Sequence, residues 1–315
     1  MKTKINTIEE KYFTTSQGYK LFYMIFRGTT KKSELKNTTN KSELTNKLKL
    51  STKSKTNKKL FIVFQHGLTG NHTVWNGHMN YMFEQGYPFI IIDLLGHGNS
   101  QKVIGRKCYT IENQGDYVWQ VLKHENIKNY IFVGQCLGAL ICLHNEIVGK
   151  TNSKAIVLIG TPLRKMVSVF IHPLAEPFRP ILKILFVYFL GIFGMIFSRR
   201  KYPLIHYYNH HKAGRIKVFL LDMIGTPKVA YGWTIESMLN IKLIPYLNKI
   251  KKPVLLVYGE HDMDQLKDSY GQLTHNLNVK REVILTGVDH LVTLRAPIQL
   301  SKEIIKFINE IKHNT

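Results

Sequence analysis

The stretch that most constrains this chain is Gly134-Gln135-Cys136-Leu137-Gly138. Tyr130-Ile131-Phe132-Val133 precedes it, a β-branched and aromatic run that reads as a buried strand, and Ala139-Leu140-Ile141-Cys142-Leu143-His144 follows it as a helix. A nucleophilic side chain between strand and helix, with glycine two residues to either side, has the pattern of a nucleophile elbow. Such a turn is strained and crowded, so its i±2 positions must lack bulk. It lifts the side chain above the sheet edge toward the N-terminus of the helix, whose partial positive charge favours negative charge on sulfur.

The rest of the chain supplies a frame for that turn. A hairpin is expected from Phe13 to Arg27, turning at Ser16-Gln17-Gly18. Leu60–Phe64, Phe89–Asp93, Ala155–Gly160, Pro253–Gly259 and Glu282–Leu285 are near-continuous apolar runs, as in strands buried on both faces of a parallel sheet. Helices are expected over 74–85, 111–125 and 297–312. Strands alternating with helices predict an α/β fold with a mostly parallel central sheet and helices on both faces. The rhythm breaks between Thr161 and Leu247, which predicts an inserted helical cap. The organisation is therefore a core over 1–160, a cap or lid over 161–247, and a second part of the core over 248–315.

An elbow needs a base, an orienting acid and an oxyanion hole, with nucleophile, acid and histidine in that chain order. His290, just past the last apolar strand, is the candidate base for Cys136. Asp262, beyond Val254–Gly259, stands where an orienting acid belongs, with Glu260 and Asp264 as rivals; Asp289 is too close to His290 in the chain to face its ring. Backbone N–H groups of Leu137 and of Leu68, behind His66-Gly67, are the candidate oxyanion donors. His66, Gly67 and Gln135 flank these positions and are the candidate substrate-binding residues.

With these residues in view, the chain resembles the α/β-hydrolase superfamily. The resemblance rests on His66-Gly67, Asp93-Leu94-Leu95-Gly96-His97-Gly98-Asn99-Ser100, the elbow, Gly259-Glu260-His261-Asp262 and Asp289-His290, in the superfamily's order. The spacing is most similar to lysophospholipase- and monoglyceride-lipase-like esterases, and implies a Cys136–His290–Asp262 triad working on an ester or thioester. It also implies that Asp93, His97 and Ser100 are structural. The usual residue at the elbow is serine. A cysteine there resembles the dienelactone hydrolases and polyhydroxyalkanoate synthases, so acyl transfer stands as the alternative chemistry. A different class, a non-catalytic basic binding protein on the same scaffold, is the second alternative.

Charge bears on partners. The net charge is +23, and residues 31–59 hold ten lysines against Glu34 and Glu43, with Lys-Ser-Glu-Leu repeated at 32–35 and 41–44. This stretch reads as a low-complexity insertion, and its functional reading is a basic arm for anionic surfaces. Ile184–Phe197 is fourteen residues without a charge, flanked by Arg179, Lys183, Arg199, Arg200 and Lys201. It is short for a membrane span. It suits either a cap over an apolar pocket or peripheral contact with an anionic membrane through 179–201, aided by 31–59. Nucleic acid is not the expected partner; a small acyl ester or thioester is. Cys108, Cys136 and Cys142 form no disulfide framework, and Met1–Phe13 has no signal-like apolar core, so the expected location is cytoplasmic, peripheral to a membrane at most. No Gly-rich phosphate loop appears, so no cofactor is expected. His206 and His210 have i, i+4 spacing, but no Cys or carboxylate completes a metal site.

Overall fold

The computed structural model describes residues 8–28, 59–163, 202–262 and 264–313, together with Leu185, Tyr188 and Phe189. The 31–58 insertion and most of 179–201 therefore lie outside the described residues.

The strands are β1 (Glu9–Thr14), β2 (Lys20–Phe26), β3 (Phe61–Gln65), β4 (Phe89–Ile92), β5 (Tyr130–Gln135), β6 (Ala155–Ile159), β7 (Val254–His261) and β8 (Val279–Asp289). They form one eight-stranded sheet in the order β1-β2-β4-β3-β5-β6-β7-β8. The β1–β2 hairpin and the β2–β4 pairing are antiparallel; every other pairing is parallel. The helices are α1 (Asn76–Glu84), α2 (Ile111–His124), α3 (Leu137–Ile147), α4 (Arg215–Gly225), α5 (Lys228–Asn240), α6 (Asp264–Asn276), α7 (Val292–Arg295) and α8 (Pro297–His313).

The apolar runs are continuous because both faces of the sheet are covered. Val63, Ile90, Phe132, Ile156 and Leu256 face one core with α2, α3 and α5. Phe64, Ile91, Val133, Val157 and Val257 face the other, with α1 and α8. The expected helix over 74–85 divides: His72–Trp75 is a 3-10 turn, capped by the Asn71 side chain on Thr73 N–H, and α1 starts only at Asn76.

The Asp93–Ser100 loop is a structural knot, as the resemblance implied. The buried Asp93 carboxylate accepts from the backbone N–H groups of His72 (2.6 Å) and Asn99 (2.8 Å) and meets His72 Nδ1 at 2.8 Å. Ser100 Oγ donates to Asp93 O at 2.6 Å and accepts from Phe22 N–H at 2.9 Å, tying the loop to β2.

The sheet positions the elbow. Gly134 lies between Gln65 of β3 and Leu158 of β6, and Cys136 N–H continues the β6 ladder onto Ile159 O at 2.9 Å. A Cβ on Gly134 would stand 2.5 Å from the Gly138 carbonyl, and one on Gly138 would stand 2.4 Å from Gln65 O. Neither neighbour is a flexible side chain, so neither can give way. Gly138→Ala is therefore expected to cost at least about 2 kcal/mol in urea unfolding. Gly271, exposed in α6 with open space where its Cβ would go, is the counter-case: Gly271→Ala is expected to gain about 0.5–1 kcal/mol in the same measurement.

Candidate active site

Cys136 has φ +50° and ψ −109°, outside the regions L-residues ordinarily occupy. Its carbonyl already accepts from Ala139 N–H (3.1 Å) and Leu140 N–H (3.2 Å), so it caps α3. Leu137 opens that helix, and the first N–H groups of a helix have no acceptor within it. The cysteine is thus held between a strand ladder behind it and a helix N-terminus ahead.

Two neighbouring strand ends bring the other groups in. β7 and β8 run parallel, with His261 opposite Asp289, and each is followed at once by a candidate site residue: Asp262 after β7, His290 after β8. His290 Nδ1 lies 2.9 Å from Asp262 Oδ1. The Asp262 side chain is fully buried, and Tyr270 Oη of α6 donates to its second oxygen at 2.5 Å. The His290 imidazole and Cys136 line the same small cavity. Burial alone would lower the pKa of this ring. The hydrogen bond to Asp262, with the nearness of Cys136 and the negative charge of the carboxylate, outweighs that and raises it to about 10.

The rival acids are engaged elsewhere. Glu260 is exposed and accepts from Gly287 N–H at 2.8 Å. Asp289 accepts from Leu291 N–H at 3.0 Å and pairs with Arg295 at 3.4 Å. Asp264 begins α6.

The loop after β3 closes the site from the other side. Gly67 packs against the elbow: a Cβ there would meet Cys136 Cβ at 3.3 Å. Gly70 N–H donates to Gly67 O at 3.2 Å, making the loop a tight turn. Gly67, Leu68, Thr69, Gln135, Cys136 and His290 share the wall of one small cavity of about 70 Å³.

Two of the expected substrate-binding residues turn out differently. His66 is fully buried: its Nε2 accepts from Leu94 N–H at 3.0 Å, so its protonated Nδ1 donates to Gly67 O at 2.8 Å. Both ring nitrogens are thus taken, and His66 joins the β3 loop to the Asp93 loop from beneath. Burial holds its pKa below the usual histidine range, in keeping with a neutral ring. Gln135 reaches the cavity wall, but its amide donates to His290 O at 3.2 Å and accepts from Thr293 Oγ1 at 2.7 Å. It fastens the histidine loop to the elbow. Gly67 lies at the cavity wall, and its carbonyl is taken by Gly70 N–H and His66 Nδ1.

Sequence reasoning missed three contributors. Tyr270 orients the acid. Gly160, at φ +51°, lies under the histidine, where a Cβ would come within 2.9 Å of His290 Cε1. Asp222 of α4 also lines the cavity, and its burial raises its pKa to about 6. Each gains its role from a partner that only the fold brings into contact, and no local pattern marks it. The paired histidines resolve otherwise too: Tyr207–His210 is a 3-10 turn, so His206 and His210 do not share an α-helical face.

With this geometry described, comparisons with known proteins become informative. A family profile described as "alpha/beta hydrolase fold" matches residues 61–214. No curated protein matches the sequence. Among solved structures, an enol-lactonase from Burkholderia xenovorans LB400 is similar with a TM-score of 0.66 at 17% identity, covering 95% of this chain and 100% of its own. An esterase from Thermogutta terrifontis gives 0.65 at 14% identity, with 96% and 99% covered. The thioesterase domain of a curacin biosynthetic pathway gives 0.63 at 15% identity, with 95% and 100% covered. Sheet order, family profile and structural likeness agree: this chain is a protein of the α/β-hydrolase fold.

Proposed function

We propose that this chain is an acyl hydrolase of the carboxylesterase, thioesterase or lysophospholipase kind, working through a Cys136–His290–Asp262 triad and an acyl-enzyme. The observation that carries the reading is the Asp262–His290 hydrogen bond, whose imidazole shares one small cavity with Cys136 on its strained turn beside the 66–70 loop. The thiol proton resides on His290, giving an imidazolium–thiolate pair at neutral pH whose imidazolium Asp262 stabilises. Cys136 sulfur attacks the acyl carbonyl, and the oxyanion is held by the N–H groups of Leu68 and Leu137. The tetrahedral intermediate collapses to a thioester as His290 returns its proton to the leaving group. Water, deprotonated by His290, then attacks the thioester, and a second collapse frees the acid and the thiol. The small cavity, walled partly by Val74, Val218, Leu291 and Leu294, favours a compact apolar acyl group.

A membrane-facing surface belongs to the same proposal. Ile216, Leu220 and Ile224 stand on one face of α4 at i, i+4, i+8 spacing and are 79%, 55% and 51% exposed. Leu185 and Phe189 are also exposed, and the exposed Lys212 and Lys217 adjoin the stripe in sequence. Apolar side chains rimmed by cations suit an anionic interface. None of the described helices is long and apolar enough to cross a bilayer.

Three outcomes are expected. On a panel of p-nitrophenyl esters, Cys136→Ala and His290→Ala should each lower kcat on the order of 10³–10⁴-fold, and Asp262→Asn comparably; wild-type turnover in Cys136→Ala would refute the triad. The His290 proton is held above its ordinary value of 6.5, so the imidazolium survives neutral pH and is lost only as pH rises toward 10. The alkaline limb of kcat/KM should accordingly fall near pH 10, and Asp262→Asn should move it downward. Finally, flotation with vesicles rich in phosphatidylserine should recover wild type, and an Ile216→Glu, Leu220→Glu variant much less; equal recovery would remove the membrane surface from the proposal.

A further inference from the structure

The segment from Tyr202 onward fastens to the loop after β3 and contributes Tyr207 to the cavity wall. Asn71 Nδ2 and Thr73 Oγ1 donate to Ile205 O at 3.0 and 2.8 Å, and Tyr207 N–H donates to Thr73 Oγ1 at 2.9 Å. The innermost contacts converge on Thr69. Tyr207 Oη, almost fully buried, lies 3.0 Å from Thr69 O and 2.6 Å from Asp222 Oδ1. Thr226 Oγ1 donates to Thr69 O at 3.2 Å. Thr69 itself has φ +65°, a left-handed conformation that a β-branched residue adopts only when its surroundings impose it. It directly follows Leu68.

We propose that Tyr207 and Asp222 are positioning residues that hold the oxyanion loop by its Thr69 carbonyl. This rests on the reading above, in which the Leu68 amide is an oxyanion donor. Proton counting gives the arrangement its character. Tyr207 has one proton and two acceptors within reach. When Asp222 is protonated, its O–H donates to Tyr207 Oη, and Tyr207 O–H is free to donate to Thr69 O. When Asp222 is ionised, Tyr207 donates to the carboxylate instead, and Thr69 O keeps only Thr226. The Thr69 hydroxyl, which otherwise donates to Leu68 O at 2.5 Å, is then drawn to the same carboxylate. The loop therefore has two hydrogen-bond patterns, one for each state of Asp222. Burial favours the protonated state, raising the pKa to about 6 against the opposing hydrogen bonds from Tyr207 and Thr69. Among the described residues, the titratable groups that act on Asp222 are Tyr207 from the 3-10 turn, in direct contact, and Tyr231 from α5, electrostatically. Asp222 and Tyr207 line the same cavity as Cys136.

The test uses the full chain, with Tyr207→Phe and Asp222→Asn, in ester kinetics from pH 5 to 8 and in hydrogen–deuterium exchange of the 66–73 peptide. Tyr207→Phe removes one oxygen. Below pH 6, where Asp222 is protonated and Tyr207 donates to Thr69 O, it should lower kcat by about tenfold to a hundredfold with little change in KM and speed exchange of the loop; at pH 8 it should do much less. Alkylation of Cys136 by iodoacetamide, which forms no oxyanion, should be far less affected. Wild type should show an inflexion in kcat near pH 6 that Asp222→Asn lacks, because an amide donates to Tyr207 Oη at every pH. Wild-type kcat and loop exchange in Tyr207→Phe, or the same inflexion persisting in Asp222→Asn, would overturn the proposal. Were wild type to alkylate but turn over no ester, the hydrolase reading would fall. Loop exchange would then decide this one: faster in Tyr207→Phe sustains the hold on Thr69, and unchanged refutes it.

Discussion

Cys136 keeps its strained backbone because β5, α3 and the end of β3 approach more closely than side chains allow. The Cβ positions of Gly134 and Gly138 point at backbone atoms 2.4–2.5 Å away. That contact sets where α3 starts, how near the loop after β3 comes to Cys136, and which N–H groups are left without acceptors at the helix end. The energy to hold a residue in such a conformation comes from elsewhere, here from a parallel sheet buried on both faces. The local strain and the wide core are two sides of one design.

A second requirement is electrostatic. A charged imidazole is unfavourable in a buried place unless a fixed anion faces it. Asp262 meets this because β7 and β8 end side by side and Tyr270 holds its second oxygen. The histidine loop is fastened from behind by Gln135 and given room by Gly160. Donors at backbone positions are suited to this task, since they need no side-chain ordering when charge develops.

The loop after β3 is fastened from two sides. On one side His66 joins it to the Asp93 knot. On the other Tyr207 and Thr226 meet it at Thr69. The 205–226 segment thus touches the loop at a carbonyl adjoining Leu68 and also lines the cavity.

Much of this was legible in the residues alone. Strand runs, the amphipathic 297–313 helix and the elbow are written in short-range patterns of apolar side chains and glycines, because burial on two faces and crowding at a turn act on contiguous residues. The order of Cys136, Asp262 and His290 follows from a topology that alternating strands and helices already imply. What only the tertiary structure decided is which side chains meet. His66 and Gln135 stand where a substrate contact is expected, yet their polar atoms are satisfied by Leu94, Gly67, His290 and Thr293. Tyr270, Gly160, Tyr207 and Asp222 gain their importance from partners reached only through folding. A hydrogen bond has no sequence period, so no reading of neighbours along the chain could have found them.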